Sequence, residues 1–134
     1  MLENAITEML RLPEIAQYHR GVYDSVIPDD SEFPAVSYQI ISDKPVLSID
    51  NTGPRKAVIQ INCVDKMRSD DDSYFADEQA FFLAKAIRTQ WSSLRGVFSD
   101  IKIAGVQEQG THPKLNSDTD TYHQIQDFTI QYEE

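Results

Sequence analysis

The stretch Lys56-Ala57-Val58-Ile59-Gln60-Ile61-Asn62-Cys63-Val64 decides the fold. Ala57, Ile59 and Ile61 alternate with Lys56, Gln60 and Asn62. A period of two puts the first set on one face of a strand and the second set on the other. A helix would need its apolar residues three and four apart. Val58 and Val64 interrupt the polar side, which predicts partial cover there as well. A strand buried on one face needs neighbouring strands and a lid, so the rest of the chain must supply both.

Downstream, residues 73–94 supply the lid. Ala80, Leu83, Ile87, Trp91 and Leu94 form one helical stripe, widened by Phe75, Phe82 and Ala86. Asp70-Asp71-Asp72-Ser73 precede it; aspartates suit the positive end of a helix dipole, and Asp or Ser can cap it. Gly96 is expected to end it. Upstream, residues 2–18 read as another helix, with Ile6, Met9, Leu10 and Ile15 at near-helical spacing. Pro13 removes a hydrogen bond from that helix, so two short pieces or a stop near Leu12 are expected.

Residues 22–27 read as a short strand, and Pro28-Asp29-Asp30-Ser31 as a turn. Residues 34–41 are a strand with Val36, Tyr38 and Ile40 on one face. Residues 42–55 look like a long excursion. Ile101, Ile103 and Val106 mark a further strand, residues 108–120 an exposed hairpin loop, and Tyr122 to Tyr132 the last strand. The expected class is α+β: a mostly antiparallel sheet packed on one face by two helices, in the order helix, three strands, helix, two strands. It forms one domain over residues 1–134, near the commonest domain size. Tyr38, Ile40, Ile59, Ile61, Ile103, Phe128 and Ile130 are its expected buried face.

Twelve Lys and Arg stand against 22 Asp and Glu, for a net charge of −10. This disfavours stable binding to nucleic acid or to an anionic membrane. One cysteine, Cys63, permits no intrachain disulfide. The start Met1-Leu2-Glu3-Asn4 has neither the basic start nor the apolar run of a signal peptide, and no apolar stretch reaches membrane-spanning length. The expected place of synthesis and assembly is the cytoplasm.

The search for chemistry returns bland readings. There is no phosphate-binding glycine loop, no H-E-x-x-H and no G-x-S-x-G elbow. Asp50-Asn51-Thr52-Gly53 resembles an aspartic-protease motif, but the extra Asn51 breaks it. His112 and His123 could meet across the last hairpin and hold a metal with Asp120; exposed hairpin histidines are the default. Cys63 sits on the apolar parity as a small buried hydrophobe. Asp70 to Asp72 lack the glycine and glutamate of a calcium loop in register. The expectation is no enzyme, no catalytic residue, no metal and no cofactor. Val46, Leu47 and Ile49 stand out instead, as apolar residues in an otherwise polar excursion. They read as a contact toward a partner or as packing back on the domain.

Several segments together resemble the tail-completion and tail-terminator proteins of long-tailed bacteriophages, over most of the chain. They are the N-terminal helix, Val22-Tyr23-Asp24, Phe33-Pro34-Ala35-Val36-Ser37-Tyr38, the turn Asn51-Thr52-Gly53-Pro54, the strand Arg55 to Cys63, the long helix and Phe128-Thr129-Ile130-Gln131-Tyr132. The resemblance implies a structural virion protein forming a six-fold ring that caps the tail tube and joins the tail to the head connector. It implies no catalytic residues. Its partners would be other copies of itself, the tail tube protein and the connector, and its place the head-proximal end of the tail. Another neck or minor tail component, or an unrelated protein-binding module, remains open. In such a ring Val46, Leu47 and Ile49 would face a neighbour or the tube. Gln107, Glu108, Asp118, Asp120, Asp127 and Gln131 would be candidates for an acidic and amide lumen past which DNA slides, or would simply keep a free subunit soluble.

Overall fold

A computed structural model describes residues 2–46, 53–66, 76–116 and 119–134, with side chains in the helix that begins at residue 76 described from Glu78 onward. The elements are α1 (Leu2–Leu10), α2 (Pro13–Ala16), β1 (Val22–Asp24), β2 (Ala35–Pro45), β3 (Arg55–Lys66), α3 (Ala76–Trp91), β4 (Gly96–Phe98), β5 (Ile101–Asn116) and β6 (Thr121–Glu133). The strands form one sheet in the order β1-β2-β3-β6-β5-β4. β1 runs parallel to β2, and the other neighbours are antiparallel. The class is α+β.

The decisive stretch behaves as its alternation demands. Ala57, Ile59, Ile61 and Cys63 are fully buried, and so are Phe128, Ile130 and Tyr132 on β6. Leu83, Ile87 and Trp91 of α3 and Ile6, Met9 and Leu10 of α1 join them in one core. Tyr38 and Ile103 are buried as expected, whereas Ile40 is half-buried.

Pro13 splits the N-terminal helix, and its consequence is specific. A proline at 13 has no N–H for the carbonyl of Met9, which sits four residues earlier near the end of α1. The indole N–H of Trp91 donates to that carbonyl at 3.4 Å. The next carbonyl, of Leu10, accepts from Nε2 of His19 at 2.8 Å. Side chains distant in sequence thus complete the end of α1 and tie it to α3.

Several boundaries differ from expectation. Of the excursion expected over residues 42–55, residues 42–45 are the end of β2 and Arg55 is the start of β3, while residues 47–52 lie outside the described residues. The loop expected over 108–120 is mostly strand, since β5 runs to Asn116 paired with β6. Register shifts at Ile103/Gly105 and Glu108/Gly110 are the reason: each bulge resets the period of two, so no continuous alternation survives in the sequence. β1 stops at Asp24, before Ser25 with φ of 66°. α3 ends at Trp91, and β4 follows as a strand the element order did not include. Phe82 is exposed rather than part of the buried stripe, and Leu94 and Ala86 are half-buried. Phe75 lies outside the described residues.

β1 pairs with β2 only from Val36 to Tyr38, and β4 with β5 only from Ile101 to Ile103. The remainders of β2 and β5 are sheet edges. Bulges on both, with Pro113 and Lys114 on β5, discourage an incoming strand. Among the described residues no helix is long and apolar enough to cross a membrane.

Candidate assembly surfaces

One end of the sheet is the β2–β3 hairpin. Asp43 organises its stem. The Arg55 guanidinium donates from Nε to Asp43 Oδ1 at 3.0 Å and from a terminal nitrogen to the Asp43 carbonyl at 3.3 Å. The Tyr132 hydroxyl donates to Asp43 Oδ2. Burial, and then the adjacent carboxylate, push the Tyr132 phenol well above its ordinary range, which keeps it a neutral donor. The bonds to Asp43 raise the Arg55 guanidinium further. Above this clamp the Val46 N–H donates to the Pro54 carbonyl at 3.0 Å, and the Val46 side chain is 45% exposed. Of the expected contact triplet, Val46 is therefore at the surface; Leu47 and Ile49 lie outside the described residues.

The sheet face turned away from the core is a second surface. Register places Lys44 opposite Lys56, and Lys56 opposite Gln131. Lys66, Lys102 and Lys114 share this face by the same pairing. Five of the chain's six lysines are thus collected on it, against Asp127 and Glu133 on the strands. Gln107, Asp127 and Gln131, three of the lumen candidates, lie here, and Gln60 Nε2 donates to Asp127 Oδ1 at 3.3 Å. Glu108 does not: adjacent strand residues point to opposite faces, and it sits opposite the core residue Phe128. There Glu108 approaches Arg88 at 3.8 Å and accepts from the Thr111 hydroxyl at 2.7 Å. Asp120 occupies the β5–β6 turn with φ of 52°, and Asp118 lies outside the described residues. The open face is therefore polar and lysine-rich rather than acidic.

The third surface is a groove of about 730 Å³ at the other end of the sheet. Its walls come from the start of α3 and the far part of the β5–β6 hairpin: Glu78, Phe81, Pro113, Lys114, Leu115 and Tyr122. Phe81 is 46% and Leu115 55% exposed. Phe81 meets Phe82 edge-on, with ring centroids 6.1 Å apart. Sequence reading missed this groove. Its one signal was the aromatic pair at 81–82, because only one of two adjacent residues can face the sheet from a helix.

A second hollow of about 670 Å³ lies on the open face below the loop after β1, lined in part by Asp29, Asn62, Lys66, Thr121 and His123. His123 is held between Asn62 Oδ1 at 3.1 Å and the Thr121 hydroxyl at 2.9 Å, and burial, then nearby Lys114, lower its pKa. His112 pairs with Ile125, and His123 with Lys114, so the two histidines are not register partners. Among the described residues no group of three His, Cys, Asp or Glu could hold a metal. Cys63 is buried, and burial pushes its thiol far up, which keeps it protonated.

His19 carries a testable pH dependence. Its Nε2–H serves the Leu10 carbonyl, its buried Nδ1 has no partner, and burial lowers its pKa despite the opposing effect of that hydrogen bond. A lowered pKa means that the unfolded chain binds the proton more readily. The contribution of His19 to stability is full above its ordinary value near 6.5 and is lost as pH falls through that value toward the lower folded one. His123 acts in the same direction. Melting curves through mildly acidic pH should show a drop in Tm that is smaller in His19→Gln. An equal drop in the two proteins would remove His19 as a cause.

No protein-family model matches the sequence, and no curated protein matches it. Solved structures do. One chain of the virion of a native gene transfer agent particle aligns with 99% of this chain and 95% of its own length, at a TM-score of 0.65 and 18% identity. The fold is shared from end to end. A second solved chain, 12% identical and covering 98% of this chain and 88% of its own length, aligns at a TM-score of 0.47.

Proposed function

We propose that this chain is a non-enzymatic structural subunit of a phage-like virion, and more specifically a tail terminator. Its copies close a ring, six in number, that caps the tail tube and meets the head connector. The observation that carries this reading is the fold shared over nearly the whole of both chains with a component of a gene transfer agent virion. The order of elements and the motifs from Arg55 to Cys63 and from Phe128 to Tyr132 support the same family. The surfaces suit assembly: a hairpin stem with exposed Val46 at one end, an apolar groove at the other, and edges blunted against uncontrolled strand pairing. A lining that repels DNA by acidity is not part of the proposal, because five lysines share the open face with Gln107, Asp127 and Gln131.

The test is the solution mass across a concentration series, alone and with a tail tube protein from the same source. Six copies of a 15.3 kDa chain give a closed ring of about 92 kDa. A mass that stays at that of one chain in both settings would overturn the ring.

A further inference from the structure

We propose that the hairpin end of one copy docks into the Phe81–Leu115 groove of a second copy, making a head-to-tail contact. This rests on the ring reading above and names the surfaces that would close the ring. The first support is an electrostatic conflict. Lys44 and Lys56 are direct cross-strand partners on the hairpin stem, and like charges placed opposite each other destabilise a sheet. Among the described residues neither lysine forms an ion pair, whereas neighbouring Arg55 is held by Asp43. The stem therefore presents two uncompensated cations beside the exposed Val46.

The groove offers the complement. Phe81 and Leu115 give it an exposed apolar floor, and Glu78 stands on its wall as a carboxylate with no ion pair among the described residues; Lys114, which also lines it, belongs by its pairing with His123 to the open face of the sheet. Its volume of about 730 Å³ lies within the range that takes a few side chains. Docking sets Val46 against Phe81 and Leu115 and brings the Lys44–Lys56 pair to the Glu78 side of the groove.

Geometry excludes the contact within one chain. β3 runs from Arg55 at the hairpin end to Lys66, and Lys66 pairs with Thr121 beside the groove residue Tyr122. Twelve strand residues separate the ends by about 40 Å. Only another copy brings them together. Two different patches on each subunit form a heterologous contact, the type that closes into a ring when its rotation permits.

This arrangement can be tested by complementation. Val46→Asp spoils the hairpin end and leaves the groove; Leu115→Arg spoils the groove and leaves the hairpin. Both positions are exposed, so circular dichroism and Tm should match the parent. Each variant alone should remain a single chain under conditions in which the parent assembles. Mixed one to one, they should form a heterodimer of about 31 kDa that grows no further, because only one good contact remains per pair. The salt-sensitive part is read from Lys44→Glu/Lys56→Glu, which should lose assembly and regain it when Glu78→Lys is added. If both variants assemble like the parent, the docking is wrong while the ring stands. If the variants stay apart when mixed, the heterologous arrangement is wrong. Retained self-assembly with loss of tube protein binding in Leu115→Arg would assign the groove to the tube and overturn the proposal. A parent chain that never self-associates, with or without tube protein, removes the ring reading and the docking together.

Discussion

Trp91→Ala should cost about 3–5 kcal/mol of stability, the usual range for deleting a fully buried tryptophan. In a domain of this size that corresponds to a fall in Tm of roughly 10–20 °C. Trp91 is fully buried and packs on Phe128 with ring centroids 5.0 Å apart. It also holds together elements that have no local reason to stay together: α3 through its backbone, β6 through Phe128, and α1 through the Met9 carbonyl that Pro13 leaves without a donor. Trp91→Phe separates the contributions. It keeps most of the ring packing and loses the indole N–H, so its deficit should be about 1–3 kcal/mol, the cost of an unsatisfied buried carbonyl. Urea midpoints for the two variants would measure the difference. A loss below about 1 kcal/mol for the alanine variant would mean that α3 is not docked on this face, since a large core truncation cannot cost so little.

The sequence made the core legible because burial there follows simple periods. The alternation from Ala57 to Cys63 and the stripe from Ala80 to Trp91 identify a sheet face and its lid, and both meet in one cluster. Pro13 announced the break in the N-terminal helix. What stayed hidden has physical causes. Two bulges in β5 removed its alternation, so thirteen residues read as loop were mostly strand. The hairpin stem carries Ser42, Asp43, Lys44 and Pro45, whose strand geometry comes from pairing with β3 and from the Asp43 clamp rather than from propensity.

The surfaces were less legible than the core. Val46 was readable as an apolar residue in polar company, but the lysine face was not, because it exists only once registers bring Lys44, Lys56, Lys66, Lys102 and Lys114 onto one side. The lumen candidates came from the polar parities of the strands, which do not reveal the lysines that pairing sets beside them. The groove needed the third dimension altogether, since Phe81 and Leu115 are 34 positions apart in the chain. Long-range pairing, not local pattern, creates each of these features.

Gln126 is the clearest residue that pattern reading could not place, and its replacement should separate stability from specificity. It lies on the core parity of β6, fully buried, opposite Ile61. Its side-chain amide donates to the Ala84 carbonyl in the middle of α3 at 2.8 Å, and the Cys63 thiol lies 3.9 Å from its carbonyl oxygen. A polar group in this position is tolerated only because it is paired. Gln126→Ala leaves a cavity and breaks the tie, and should cost about 2–4 kcal/mol. Gln126→Leu removes the polar group while filling most of the space, and should recover at least half of that loss, because replacing a buried polar side chain by an apolar one of similar shape is close to neutral. The difference in function is then informative. The bond fixes where α3 sits along the sheet, and that position sets the distance from Phe81 to Leu115 across the groove. On this reading Gln126→Leu is a stable protein with weakened assembly, detectable as a solution mass that falls toward the single chain at concentrations where the parent remains associated. If it assembles as well as the parent, α3 is placed by apolar packing alone, and the buried amide has no part in shaping the groove.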